Sequence, residues 1–69
     1  MLYFVSYSTL FGRDCYIVRA RSNENARQFS YTNMVHGILK DSVKIEAFDR
    51  NNLHHQKIFN LQEFIPWEA

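Results

Sequence analysis

Residues 2–8, LYFVSYS, carry apolar or aromatic side chains on both parities of an extended segment: Leu2 and Phe4 on one, Tyr3, Val5 and Tyr7 on the other. That pattern predicts a central strand. Residues 9–14 hold the first glycine, Gly12, among polar neighbours, and predict a hairpin loop of several residues with Leu10 and Phe11 exposed at its tip. A second strand follows over residues 15–21. Tyr16, Val18 and Ala20 share one face and read as core, because the opposite parity, Cys15, Ile17, Arg19 and Arg21, ends in two arginines.

The period then changes. Ser22 is a candidate N-cap, Glu24 sits where a negative charge favours the helix dipole, and Asn25 stands where a full capping box would have Glu or Gln. A helix from about Asn23 puts Ala26, Phe29 and Ser30 on one face. Met34, Val35, Ile38 and Leu39 continue the stripe with a shifted phase, and the helix is expected to stop near His36 or Gly37. Val43, Ile45 and Ala47 alternate with Lys44, Glu46 and Phe48, the clearest period of two in the chain, and predict a third strand. Asp49, Arg50, Asn51 and Asn52 are turn residues. They imply a hairpin to a fourth, less regular strand over residues 55–59. Asn60 followed by Glu63 then matches a cap that opens one helical turn before Pro66, with Phe64, Ile65 and Trp67 packing down to tie off the terminus.

The expected fold class is α+β: a ββαββ domain spanning residues 1–69, its antiparallel sheet ordered 2-1-3-4, one helix on one face and a short C-terminal helical turn. The other face is expected to be open, carrying Tyr3, Val5, Tyr7, Ile17, Arg19, Lys44, Glu46 and Phe48.

Composition narrows the functional classes. The chain has 69 residues, 46% of them hydrophobic and 16% aromatic, enough for a small core built from large rings. A single cysteine, Cys15, excludes an internal disulfide and fits a reducing, cytoplasmic setting. The opening residues lack a basic leader region and are too short and too interrupted for a signal peptide or membrane span. A net charge of +1 gives no field able to recruit nucleic acid or an anionic membrane by itself.

The apolar open face and the hairpin tip are the candidate sites. Tyr3, Tyr7, Ile17, Arg19 and Phe48 are expected as anchors for a protein partner, with Leu10 and Phe11 as a second contact, and a homodimer is one version of that contact. The competing reading has the C-terminal segment folded over the same face. A second function class is a nucleic-acid-binding regulator, with Arg13, Arg19 and Arg21 beside stacking tyrosines. No catalytic group, metal site or cofactor is expected. His36, His54, His55 and Cys15 have no metal-ligand spacing, a Cys15/His36 dyad has no supporting motif, and two distant glycines make no phosphate loop. Asp41, Glu46, Asp49, Glu63 and Glu68 are offset by Lys40, Lys44 and Arg50, so they make no acidic patch.

The layout over residues 2–48, a chain starting directly in a strand and then VRARSNENA leading into a helix and a β segment, resembles the small β-β-α-β proteins that bacteriophages make against host machinery, such as RNA-polymerase inhibitors and anti-CRISPR proteins. The resemblance carries no signature motif and transfers no functional residue. It implies a non-enzymatic intracellular inhibitor that blocks a host protein by occupying its surface.

Overall fold

Strands β1 (Leu2–Thr9) and β2 (Gly12–Arg19) form an antiparallel hairpin joined by Leu10 and Phe11 alone. The structure, a computed structural model, describes residues 1–33, 39–62 and 67–68, and of Trp67 the backbone only. The loop is thus two residues long, shorter than the residues 9–14 expected. Thr9 braces it: its hydroxyl oxygen accepts the Phe11 N–H and donates to the Gly12 carbonyl, each at 3.0 Å. Gly12 has φ of 134°, a conformation that side chains with a Cβ rarely adopt.

Loop length decides which residues share a face. Tyr3 pairs with Val18, Val5 with Tyr16 and Tyr7 with Asp14, so the odd residues of β1 stand beside the even residues of β2. Strand β3 (Lys44–Ala47) adds to the other side of β1, antiparallel, with Val5 opposite Ile45 and Phe4 opposite Glu46. The result is a three-stranded antiparallel sheet with β1 in the centre, flanked by two helices.

Helix α1 (Asn23–Asn33) begins as its sequence predicts: the Asn25 N–H donates to the Ser22 hydroxyl at 3.1 Å. Asn25 then turns its own side-chain oxygen back to the Arg21 N–H at 3.2 Å, a shortened reciprocal cap reaching one residue further out. Under α1 lies one core of Tyr3, Val5, Tyr7, Tyr16, Val18, Ala20, Ala26 and Val43, with Phe29, Tyr31 and Ile45 packed on it. Tyr16 and Ser30 hydrogen-bond within it, and the Ser30 hydroxyl donates in turn to the Ala26 carbonyl. The expected end of this helix at His36 or Gly37 lies outside the described residues. After a single 3-10 turn, Lys40–Ser42, the Ser42 hydroxyl accepts the Ser8 N–H at 2.7 Å and fixes the entry to β3.

The second helix is the main departure. Residues 55–59 are not a strand but part of α2 (Leu53–Leu61). The turn at Asp49 and Asn52 forms as expected, but Asn52 then caps a helix, its side-chain oxygen accepting the N–H groups of His54 and His55 at 2.9 and 3.1 Å. Asn60, expected to open a helical turn, lies in the last turn of α2, and Glu63 lies outside the described residues. A two-residue strand β4 (Trp67–Glu68) runs parallel to β2 along its outer edge, so the order is β3-β1-β2-β4 in place of the expected 2-1-3-4.

Candidate functional site

Helix α2 covers the face expected to be open. His55 stacks on Phe4 with ring centroids 4.1 Å apart, His54 meets the same ring edge-on at 5.3 Å, and Phe48 packs between His55 and Phe59 at 5.9 and 5.5 Å. Ile17 is fully buried beneath this layer. Burial of an isoleucine of this kind is worth about 1.5–3 kcal/mol, which is a stability role and removes it from any surface.

Four of the seven residues expected to anchor a partner, Tyr3, Tyr7, Ile17 and Phe48, therefore leave the open surface. Tyr3 and Tyr7 belong to the α1 core, 8% and 3% exposed, because the two-residue loop turns their parity toward α1. Ile17 is sealed under α2, and Phe48 is half-buried against α2. Arg19 remains exposed, its guanidinium 3.9 Å from the equally exposed Glu68 carboxylate, a contact that solvent largely screens. These five do not form one surface. Leu10 and Phe11 stand together where expected, at the hairpin tip, 76% and 95% exposed.

The tip sits on a well-braced stem. On one face the Tyr7 hydroxyl donates to the Asp14 carboxylate at 3.5 Å, and Asp14 also accepts the Cys15 N–H at 2.8 Å. On the other, Arg13 donates to the Ser8 hydroxyl at 3.2 Å. Burial, and then the Asp14 charge, push the Tyr7 phenol above its ordinary pKa, so it stays a donor. A shallow groove of about 390 Å³ beside the stem is lined by Phe4, Ser6, Arg13, Asp14, Cys15, Lys44, Glu46 and His54. Its charges are mixed, two cations against two carboxylates, and select no ionic ligand.

The groove holds one thiol, Cys15. Burial pushes the Cys15 thiol up, Asp14 adds to the rise and Arg13 offsets part of it, the reverse of what a thiolate nucleophile requires. His36, the other half of the conceivable dyad, lies outside the described residues. Among the described residues no three His, Cys, Asp or Glu side chains gather as a metal site, and no helix is long and apolar enough to cross a membrane. The sheet tyrosines that would stack bases, Tyr3 and Tyr7, are both buried.

Sequence reasoning missed α2 and with it His55. The signal was present: Asn52 as a cap, then His55, Ile58, Phe59 and Gln62 at spacings of three, four and seven. Comparison with protein-family models, with curated proteins and with solved structures finds no match to the chain.

Proposed function

We propose that the protein is a non-catalytic binding module that acts by occupying a surface on another protein, with Leu10 and Phe11 as its anchor. The supporting observation is the tip itself: two adjacent large apolar side chains, almost wholly exposed, on a turn whose backbone is fixed by Thr9. An aromatic group presented on a short, ordered hairpin loses little conformational freedom on entering a pocket, which is how a few residues supply most of an interface's affinity. The layout resemblance makes host machinery of the kind that phage inhibitors target the partner to test first.

The test replaces both tip residues, Leu10→Ser with Phe11→Ser, and compares capture from host lysate with that of the unaltered chain. The variant is expected to melt as the original does and to lose the specifically captured protein. Retention of that protein by a fully folded variant rejects the tip as anchor.

The alternative, a nucleic-acid-binding regulator, keeps Arg13, Arg19 and Arg21 on the exterior but has, among the described side chains, no exposed tyrosine on the sheet to stack on bases. Such binding weakens steeply with salt through counterion release. Oligonucleotide titrations at two salt concentrations separate the two classes, and the binding-module reading expects no signal in either.

A further inference from the structure

The two edges of the sheet are finished differently. Along β2, Gln62 behaves as a strand would: its side-chain oxygen accepts the Ile17 N–H at 2.8 Å, and its amide nitrogen donates to the Ile17 carbonyl at 3.0 Å. Trp67 and Glu68 extend this cover to Val18 and Arg19. Along β3 no strand among the described residues pairs with the outer side. The Phe48 N–H donates to the Leu2 carbonyl at 2.9 Å, which sets the phase of the ladder. Phe4 with Glu46 and Ser6 with Lys44 are then the hydrogen-bonded positions, and the backbone groups of Ile45 and Ala47 point away from β1. Arg27 donates to the Val43 carbonyl at 3.3 Å and closes off one end of this edge.

We infer that β3 is the docking edge for a second copy of this chain, paired antiparallel about a two-fold axis at Ile45. In that register Ile45 exchanges both backbone hydrogen bonds with Ile45 of the second copy. Lys44 of each copy then stands directly opposite Glu46 of the other, on the same face of the joined sheet and at the close, non-hydrogen-bonded spacing. Both side chains are exposed, and the Glu46 contact with His55 uses Oε2 alone, leaving Oε1 for the lysine. Shifting the register by one residue sets Lys44 against Ala47 and Ile45 against Glu46, so the charges select a single alignment. The contact is isologous and closes at two copies. It is short, so the dimer is a weak one.

Sedimentation equilibrium over about 10 µM to 1 mM reads it directly. The unaltered protein is expected to pass from monomer to dimer in this range. Lys44→Glu puts like charges across both symmetry-related pairs and should weaken the dimer about tenfold. Glu46→Lys should do the same, and an equimolar mixture of the two variants should recover association, because each then offers the charges the other lacks. Leu10→Ser with Phe11→Ser should leave the dimer intact, which keeps this interface separate from the hairpin tip. Thermal melts check that each variant folds, and Lys44→Glu, which alters an exposed side chain, is decisive by itself should Glu46→Lys melt early. A monomer at every concentration, a dimer indifferent to Lys44→Glu, a mixture of folded variants that stays monomeric, or a dimer dissolved by the tip variant would each overturn the assignment.

Discussion

His55 lies flat against Phe4, ring planes 14° apart, while its Nδ1 accepts the Asp49 N–H at 3.1 Å and its Nε2 sits 3.4 Å from the Glu46 carboxylate. An accepting Nδ1 carries no proton, so the neutral ring holds its hydrogen on Nε2, facing Glu46. One side chain thereby joins β1, β3, the turn after β3 and α2. His55→Ala removes the stack and strands the Asp49 N–H, and should lower stability by about 2–4 kcal/mol in urea denaturation. His55→Phe, which keeps the ring but loses the Nδ1 acceptor and the Nε2 donor facing Glu46, should fall between the two. Equal stability of all three chains would show that α2 is held by other contacts.

Gln62 gives a second expectation. Gln62→Glu keeps the acceptor for the Ile17 N–H but turns the donor into a second acceptor facing the Ile17 carbonyl. A loss of about 1–3 kcal/mol should follow. Hydrogen exchange at the Ile17 amide should rise more in Gln62→Ala than in Gln62→Glu, since only the former removes the acceptor.

At the hairpin, a Cβ built on Gly12 meets nothing within 4 Å, so Gly12→Ala is opposed by backbone torsion alone. The expected penalty is about 1–3 kcal/mol. A chain carrying D-alanine at position 12, made by chemical synthesis, should melt as the natural chain does. A D-alanine chain as unstable as the L-alanine one would place the penalty in a steric clash.

Burial pushes the Tyr16 phenol up to about 12, the Ser30 hydrogen bond pulls the other way, and the charge of Tyr7 adds a little to the rise. Its unfolded value is near 10. Between these values the folded chain holds a proton that the unfolded chain has released, so the stability this group contributes is complete below about pH 10 and is lost as pH climbs toward 12. Tyr16→Phe should flatten the alkaline decline measured by urea denaturation over this range. Near neutral pH it should lower stability by only about 0.5–1.5 kcal/mol, because Ser30 keeps its bond to Ala26.

Much of the fold was legible because local signals agreed with the tertiary outcome. β1 was expected over residues 2–8 and spans Leu2–Thr9; Ser22 caps α1; and the alternation of Val43, Ile45 and Ala47 marks β3. The faces were not legible, and the reason is specific. β1 is apolar on both parities because both of its faces are covered, so no residue of β1 reveals which side meets α1. Only the number of loop residues settles that, and it rests on one glycine torsion. The run HQKIF reads as a strand because a short segment of this kind fits either period, and a buried histidine gives no apolar mark at the position where α2 touches Phe4. The candidate site followed the same division: Leu10 and Phe11 were found because a turn exposes its tip in any register, whereas Tyr3, Tyr7, Ile17 and Phe48 depended on the faces.

The late position of α2 in the chain has a consequence for biosynthesis. During translation the β1–β2 hairpin, closed by two residues, is complete some forty residues before the helix that shields Phe4 and Ile17 has emerged. A product released prematurely at Arg50 would carry those two side chains bare on a finished strand pair. Such fragments are natural clients for chaperones and proteases, so the β1–β2 pair gains its protection from aggregation only once α2 has been made.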